Sequence, residues 1–274
     1  MRAVSAALGI ARSNLMDRLR RGAVPRAPRR ADDAALVERL QSVVDARPSY
    51  GYRRTAAVLN RALVATGERR VNAKRIYRVM KAQGWLLQRY TGKSTRTHDG
   101  VVITLKSDLR WCSDSFEIRC WNGERVQVAF SLDCCDREVM SYVATTAAIT
   151  GEMVRDLMAE SVERRFGAPA LKVPHPIEWL SDNGPPYTAT ETREFGEAMG
   201  LIVCTTPAYS PESNGMAESF VKTFKRDYVY LNELHSAASV MGHLAAWFED
   251  YNEVHPHKGL RLQSPREYRR ATST

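Results

Sequence analysis

Between residues 111 and 206 the hydrophobic period of the chain is two at first and then alternates with helical stretches, and this order restricts the fold more than any other feature. WCSDSFEIRC, ERVQVAFSLDCC and REVMSYVATT are three β-rich runs at hairpin spacing, and Asn122-Gly123 marks the first turn. A helix follows in GEMVRDLMAESVERRF, with Met153, Val154, Leu157, Met158 and Val162 on one face. Then come a strand, PIEWLSDNG, a helix through Phe195 and Met199, and a last strand, LIVCTT.

Upstream the pattern is wholly helical and strongly basic. Residues 1–98 carry 22 Lys+Arg against 6 Asp+Glu, a charge of +16, whereas residues 99–274 carry 18 against 25, a charge of −7. A split this steep reads as a nucleic-acid-binding arm joined to a mildly acidic body. Residues 3–21 sketch a partial helix-turn-helix, with Arg18, Arg20 and Arg21 on its second element, and Gly22–Arg30 is a basic linker. A second unit places helices from Asp33 to Pro48, from the PSYGYRR segment to Gly67, and from an Asn72 cap to Gly84. On the third helix Ile76, Val79 and Met80 pack inward and leave Lys74, Arg75, Arg78 and Lys81 facing out, as a helix in a major groove requires. A solvated charged face is the alternative, although such faces mix signs.

Three antiparallel strands followed by helix, strand, helix and strand is the order of the ribonuclease H-like fold. The expected class is therefore α/β with a mixed sheet, preceded by an all-α helix-turn-helix arm. In such a sheet the first and fourth strands lie side by side, so Asp114 and Asp182 can meet, and a helix beginning near Asn214 has to bring Glu218 to them. Two carboxylates about 4 Å apart repel by about 4 kcal/mol at an effective dielectric of 20. A site that gathers three of them calls for cations, and hard oxygen ligands favour Mg²⁺, with Mn²⁺ as substitute, two ions per site. Lys222 and Lys225 share the face of Glu218 and suit phosphate contact, with ordinary surface Glu–Lys pairing as the alternative. Ala217, Val221, Phe224 and Tyr228 form the apolar stripe of that helix.

WCSD, LSDNG and YSPESNGMAESFVKTFKRDY, in this order, resemble the catalytic half of bacterial insertion-sequence transposases, members of the retroviral-integrase-like superfamily with an Asp, Asp, Glu triad. The 35 residues between Asp182 and Glu218 match the interval typical of that superfamily. The resemblance is to the second-reading-frame protein of the insertion sequence three family, and SLDCCDRE, VERRFG, SPESNG, ESFVKT and KRDY are similar to its insertion sequence two subgroup. It runs from about residue 34 to residue 270. It implies that Asp114, Asp182 and Glu218 bind metal, that Lys225 engages the transposon end and Lys222 adds a DNA contact, and that Asn214-Gly215 lies in a flexible loop. Asp133 and Asp136 fall in the family's non-ligand turn and are structural. YNEVHPHKGLRLQSPREY resembles the family's C-terminal segment, with His255 where many relatives carry Arg.

The expected organisation is a partial helix-turn-helix and linker at 1–30, an integrase-associated helix-turn-helix domain at 31–90, a linker at 91–107, the integrase-type catalytic core at 108–232 and a helical tail at 233–274. The implied function is a transposase that binds terminal inverted repeats and performs metal-dependent strand cleavage and transfer. Its implied partners are double-stranded terminal-repeat and target DNA, further copies of itself on DNA, and an upstream-frame protein or frameshift fusion. No run of 18 apolar residues offers a membrane span and no secretory signal opens the chain, so a bacterial cytoplasmic, nucleoid-associated location is expected. Five cysteines without a C-x-x-C pair fit reduced thiols rather than zinc, and His255 and His257 are poor zinc ligands. A ribonuclease H or Holliday-junction nuclease on the same fold would not need the basic arm. A DNA-binding regulator would show no metal-dependent nicking.

Overall fold

The computed structural model describes residues 13, 16, 33–88, 104–168, 171–206 and 214–272. The partial helix-turn-helix, its basic linker, most of the 91–107 linker and the segment just before Asn214 therefore lie outside the described residues.

The helical arm comprises α1 (Asp33–Ala46), α2 (Tyr52–Ala65) and α3 (Ala73–Ala82). The Asn72 side chain accepts the Lys74 amide at 2.8 Å and caps α3, and Gly67 and Gly84 adopt φ of 75° and 74° where their helices stop. Leu36, Leu40, Ala56, Leu59, Leu63, Ile76, Val79 and Met80 close a small core of their own.

Next come β1 (Arg110–Arg119), β2 (Arg125–Asp133), β3 (Val139–Thr145), α4 (Gly151–Phe166), β4 (Ile177–Ser181), the short α5 (Pro185–Thr188), α6 (Thr190–Ala198) and β5 (Leu201–Thr205). The strands form one mixed sheet in the order β3-β2-β1-β4-β5, with β1 antiparallel to β2 and parallel to β4. This is the ribonuclease H-like arrangement that the element order implies.

Both faces of the sheet are covered. On one, Trp111, Ala129 and Trp179 pack against Val154, Leu157, Met158 and Val162 of α4. On the other, Cys112, Phe116, Ile118 and Phe130 meet α7 (Gly215–Asp227) and α8 (Ala237–Glu253). The chain closes with α9 (Pro265–Thr272). The stripe of α7 differs in one member from the sequence expectation: Val221 is only partly buried, while Phe220 is 3% exposed and lies 4.4 Å from the Phe130 ring.

Arm and body are tied by charged pairs. Arg47 holds Asp250, Arg54 donates to Asp227 at 2.6 Å, and Arg61 reaches the carbonyls of Val254 and Leu262 and the carboxylate of Glu267. No helix among the described residues is long and apolar enough to cross a membrane, and all five cysteines are free thiols.

Candidate active site

Alternation along β1 puts Cys112, Asp114 and Phe116 on one side, and Cys112 and Phe116 both lie under α7. Asp114 thus faces the helix that carries Glu218. The parallel register pairs Cys112 with Leu180; carried two residues further, it sets Asp114 level with Asp182, just past the end of β4. Asp182 and Glu218 both lie near enough for their charges to act on Asp114.

Each acid has a local anchor. Asp114 Oδ1 accepts the Ser115 amide at 2.7 Å, and Asp182 Oδ1 accepts the Gly184 amide at 3.0 Å. Asn183 Nδ2 donates to the Thr206 carbonyl at 2.9 Å and ties the ends of β4 and β5 together. Glu218 holds Lys222 Nζ at 3.1 Å, the surface pairing that sequence left open, and Lys225 Nζ lies 5.6 Å from the centre of the Phe116 ring. Burial raises the Asp114 carboxyl to about 6, opposed by the Ser115 hydrogen bond and reinforced by the charges of Asp182 and Glu218. Asp114 therefore already feels the repulsion of the other two acids. Among the described residues no three metal-ligating side chains stand close enough together to hold an ion.

Two residues support this cluster in ways the sequence did not reveal. Tyr187 is 3% exposed, and its hydroxyl lies 3.2 Å from Ser113 Oγ, next to Asp114. Asn214, expected in a flexible loop, is instead 5% exposed and donates to the Ser113 carbonyl at 3.2 Å, pinning the start of α7 to β1. A serine and an asparagine ahead of a helix look like ordinary capping signals, so the sequence held no hint of that cross-link.

The remaining acids serve the frame. Asp133 accepts the amides of Asp108, Cys135 and Asp136, and Arg165 bonds Asp108, Asp133, Asp136 and Glu138 at once. His255 is buried, with Nδ1 2.9 Å from the Tyr50 hydroxyl. Burial brings its ring down to about 3, against the pull of Asp227, so the ring is neutral at neutral pH.

On the arm, Lys74, Arg78 and Lys81 are exposed on α3. Arg75 departs from the outward-facing expectation. Its guanidinium is bound to Asp33 of α1 at 2.9 Å and is 27% exposed, because an acid two helices earlier in the chain folds against it.

Residues 105–211 and 202–265 match models described as integrase core domain, and residues 30–93 match one described as an HTH-like domain. With the sheet order above, these define a polynucleotidyl transferase of the Asp-Asp-Glu integrase and transposase class. Over 247 residues the chain is 47% identical to transposase InsD of insertion element IS2A/D/F/H/I/K from Escherichia coli, which covers 89% of this chain and 81% of the relative. InsD of element IS2-9 from strain K12 gives the same identity, covering 80% of that relative. The chain belongs to this insertion-element transposase family. Among solved structures, the catalytic domain of Mos1 mariner transposase is 18% identical, covering 61% of this chain and 81% of that one with a TM-score of 0.44.

Proposed function

We propose that the chain binds the terminal inverted repeats of its element and cleaves and transfers DNA strands at a site formed by Asp114, Asp182 and Glu218. One observation carries the reading: β1, which bears Asp114, runs parallel to β4, which ends one residue before Asp182, and Asp114 feels the charge of both Asp182 and Glu218. Three mutually repelling carboxylates with oxygen donors only suit Mg²⁺, or Mn²⁺ in its place, and two ions would balance them best. When bound, the ions supply activation of a water or 3′-hydroxyl and stabilisation of the leaving oxygen in an in-line displacement. Glu218 must leave Lys222 to join them, which costs little because an exposed pair of this kind is worth about 0–1 kcal/mol. Lys222, so freed, and Lys225 then offer charge to the strand alongside α7.

Lys74, Arg78 and Lys81 on α3 supply the arm's contact with the duplex, and Arg75 acts through its grip on Asp33. The helix-turn-helix domain of 31–90, the catalytic core of 108–232 and the segment 233–274 divide these tasks. Joining two ends requires two active sites, so the working form is a multimer on DNA, with an upstream-frame protein or fusion as a further partner.

The test is strand cleavage and transfer on a labelled duplex bearing the element's terminal repeat, with Mg²⁺, Mn²⁺ or EDTA. Wild type should nick at the repeat end only with metal. Asp182→Asn should lose at least about a thousandfold in rate, roughly 4 kcal/mol of barrier, while its DNA affinity stays within about twofold. Tight binding without nicking in any metal would make the chain a regulator instead.

A further inference from the structure

α7 has a second polar face. Ser219, Thr223 and Arg226 line a cavity of about 280 Å³ between this helix, the turn joining β2 to β3 and the segment after α8. At about 100° per residue these positions lie roughly 110° around the helix from Glu218, so the cavity is separate from the three acids. Arg54, Arg137, Arg226 and Lys258 all contribute to its wall, and no carboxylate does.

Two of the four cations already have a partner, since Asp227 accepts from both Arg54 and Arg226, although its one charge offsets only one of theirs. Arg137 and Lys258 lack one: among the described residues neither side chain has an ion-pair partner. Arg137 is held in place from two sides. Its backbone takes φ of 64° with its amide on the Asp133 carbonyl, and its guanidinium lies so close to Gly259 that a Cβ there would come within 2.2 Å of Nη2. Its Nε is buried without a partner, and so is Nε2 of His257, a ring 8% exposed in the same wall. Buried donors are normally satisfied, and a fixed guanidinium that lacks an acceptor calls for a ligand rich in acceptor oxygens.

We propose that this cavity is a phosphate-binding site that takes a backbone phosphodiester of DNA and steadies the strand beside α7. A DNA phosphate suits it better than a free anion because Arg54 comes from the arm and Ser219 and Thr223 from the helix of Glu218. Both elements are DNA-facing in the function proposed above, on which this inference rests. The hydroxyls of Ser219 and Thr223 add neutral donors, so the site grips a phosphate without reading a base.

The experiment measures anisotropy of labelled terminal-repeat and scrambled duplexes with the full chain across a salt series. Lys258→Ala, Arg137→Gln and Gly259→Ala are compared with wild type, and thermal melts check folding. Lys258 is an exposed residue, so its variant tests the site even if Arg137→Gln proves unstable. Each variant should flatten the slope of log K on log salt by about 0.9, the share of one phosphate, equally on both duplexes. In parallel, the His257 ring resonances are followed by NMR during titration with inorganic phosphate, which should move them in wild type and not in Arg137→Gln. Wild-type slopes in both folded Lys258→Ala and Arg137→Gln would overturn the inference while leaving the transposase reading intact. If phosphate moves His257 but the slopes stay put, the site takes free anions and the DNA assignment is wrong. A wild-type chain that binds no DNA would remove both readings together.

Discussion

Asp227 gives the sharpest quantitative prediction. Its side chain is 1% exposed, and it accepts Arg54 from the arm at 2.6 Å and both Nε and Nη2 of Arg226 at 2.7 and 2.6 Å. Burial by itself raises this carboxyl, but the Arg226 hydrogen bond and the charges of Arg54 and Arg226 outweigh it and bring it down from 3.8 to about 2. A folded value below the unfolded one means that the ionised form stabilises the native state. That contribution is complete above pH 3.8 and fades as pH falls towards 2. The shift corresponds to roughly 2 kcal/mol. Asp227→Asn keeps the shape, removes the charge and leaves two guanidiniums facing an amide. Because Arg226 is about half exposed, water relieves part of the cost, and the expected loss is roughly 2–3 kcal/mol near neutrality rather than the full penalty of a broken buried pair. Urea unfolding of both proteins from pH 7 down to pH 2, followed by tryptophan fluorescence, isolates the effect. The stability difference should be flat from pH 7 to about 5 and shrink steadily below 4. A difference under about 0.5 kcal/mol at pH 7, or one that does not change on acidification, would refute the reasoning.

Arg165→Met should lower stability by roughly 3–5 kcal/mol, since it strands the buried Asp133 and Asp136 without their shared cation, while Glu138 keeps Arg266 and Arg269; a urea midpoint at or above wild type would show that the cluster is dispensable. Gly196→Ala should cost roughly 1–3 kcal/mol, because its Cβ would meet Val203 Cγ2 at 2.6 Å between α6 and β5, and an unchanged melting temperature would contradict that packing. On α3, Lys81→Ala should flatten the salt dependence of DNA binding by about one phosphate's share, whereas Arg75→Ala should chiefly lower the arm's thermal stability; the reverse pattern in anisotropy and melting would reassign the two residues.

Much of the body was legible because its signals are local. The alternation in WCSDSFEIRC and the apolar face of GEMVRDLMAESVERRF each declare which side is buried, and Asn72, Gly67 and Gly84 punctuate the arm where capping chemistry says they should. The adjacency of β1 and β4 followed from the element order alone. What escaped were meetings between elements far apart in the chain. Periodicity tells that a face is covered but not by what, so nothing in it pointed to Arg47, Arg54 and Arg61 clasping Asp250, Asp227 and Glu267. Arg75 was misplaced for the same reason, its partner Asp33 being 42 residues away. Phe220 escaped because a stripe traced through Val221 looks equally regular, and only the Phe130 ring opposite it decides between them.

The clasp between arm and body has a consequence for the DNA rather than for the protein. Arg47, Tyr50, Arg54 and Arg61 all lie on or just before α2, and they grip the end of α7, the end of α8 and the segment that follows. If α3 meets the duplex and the three acids cut it, as proposed above, both are mounted on one frame, which then behaves as a ruler. On that reading the bond to be broken would lie at a set number of base pairs from the sequence the arm grips. B-DNA turns once in about 10–10.5 base pairs, so adding half a turn between them would present the opposite face of the duplex to the acids. The phasing of an element's end is then as much a requirement for its mobility as the letters it carries.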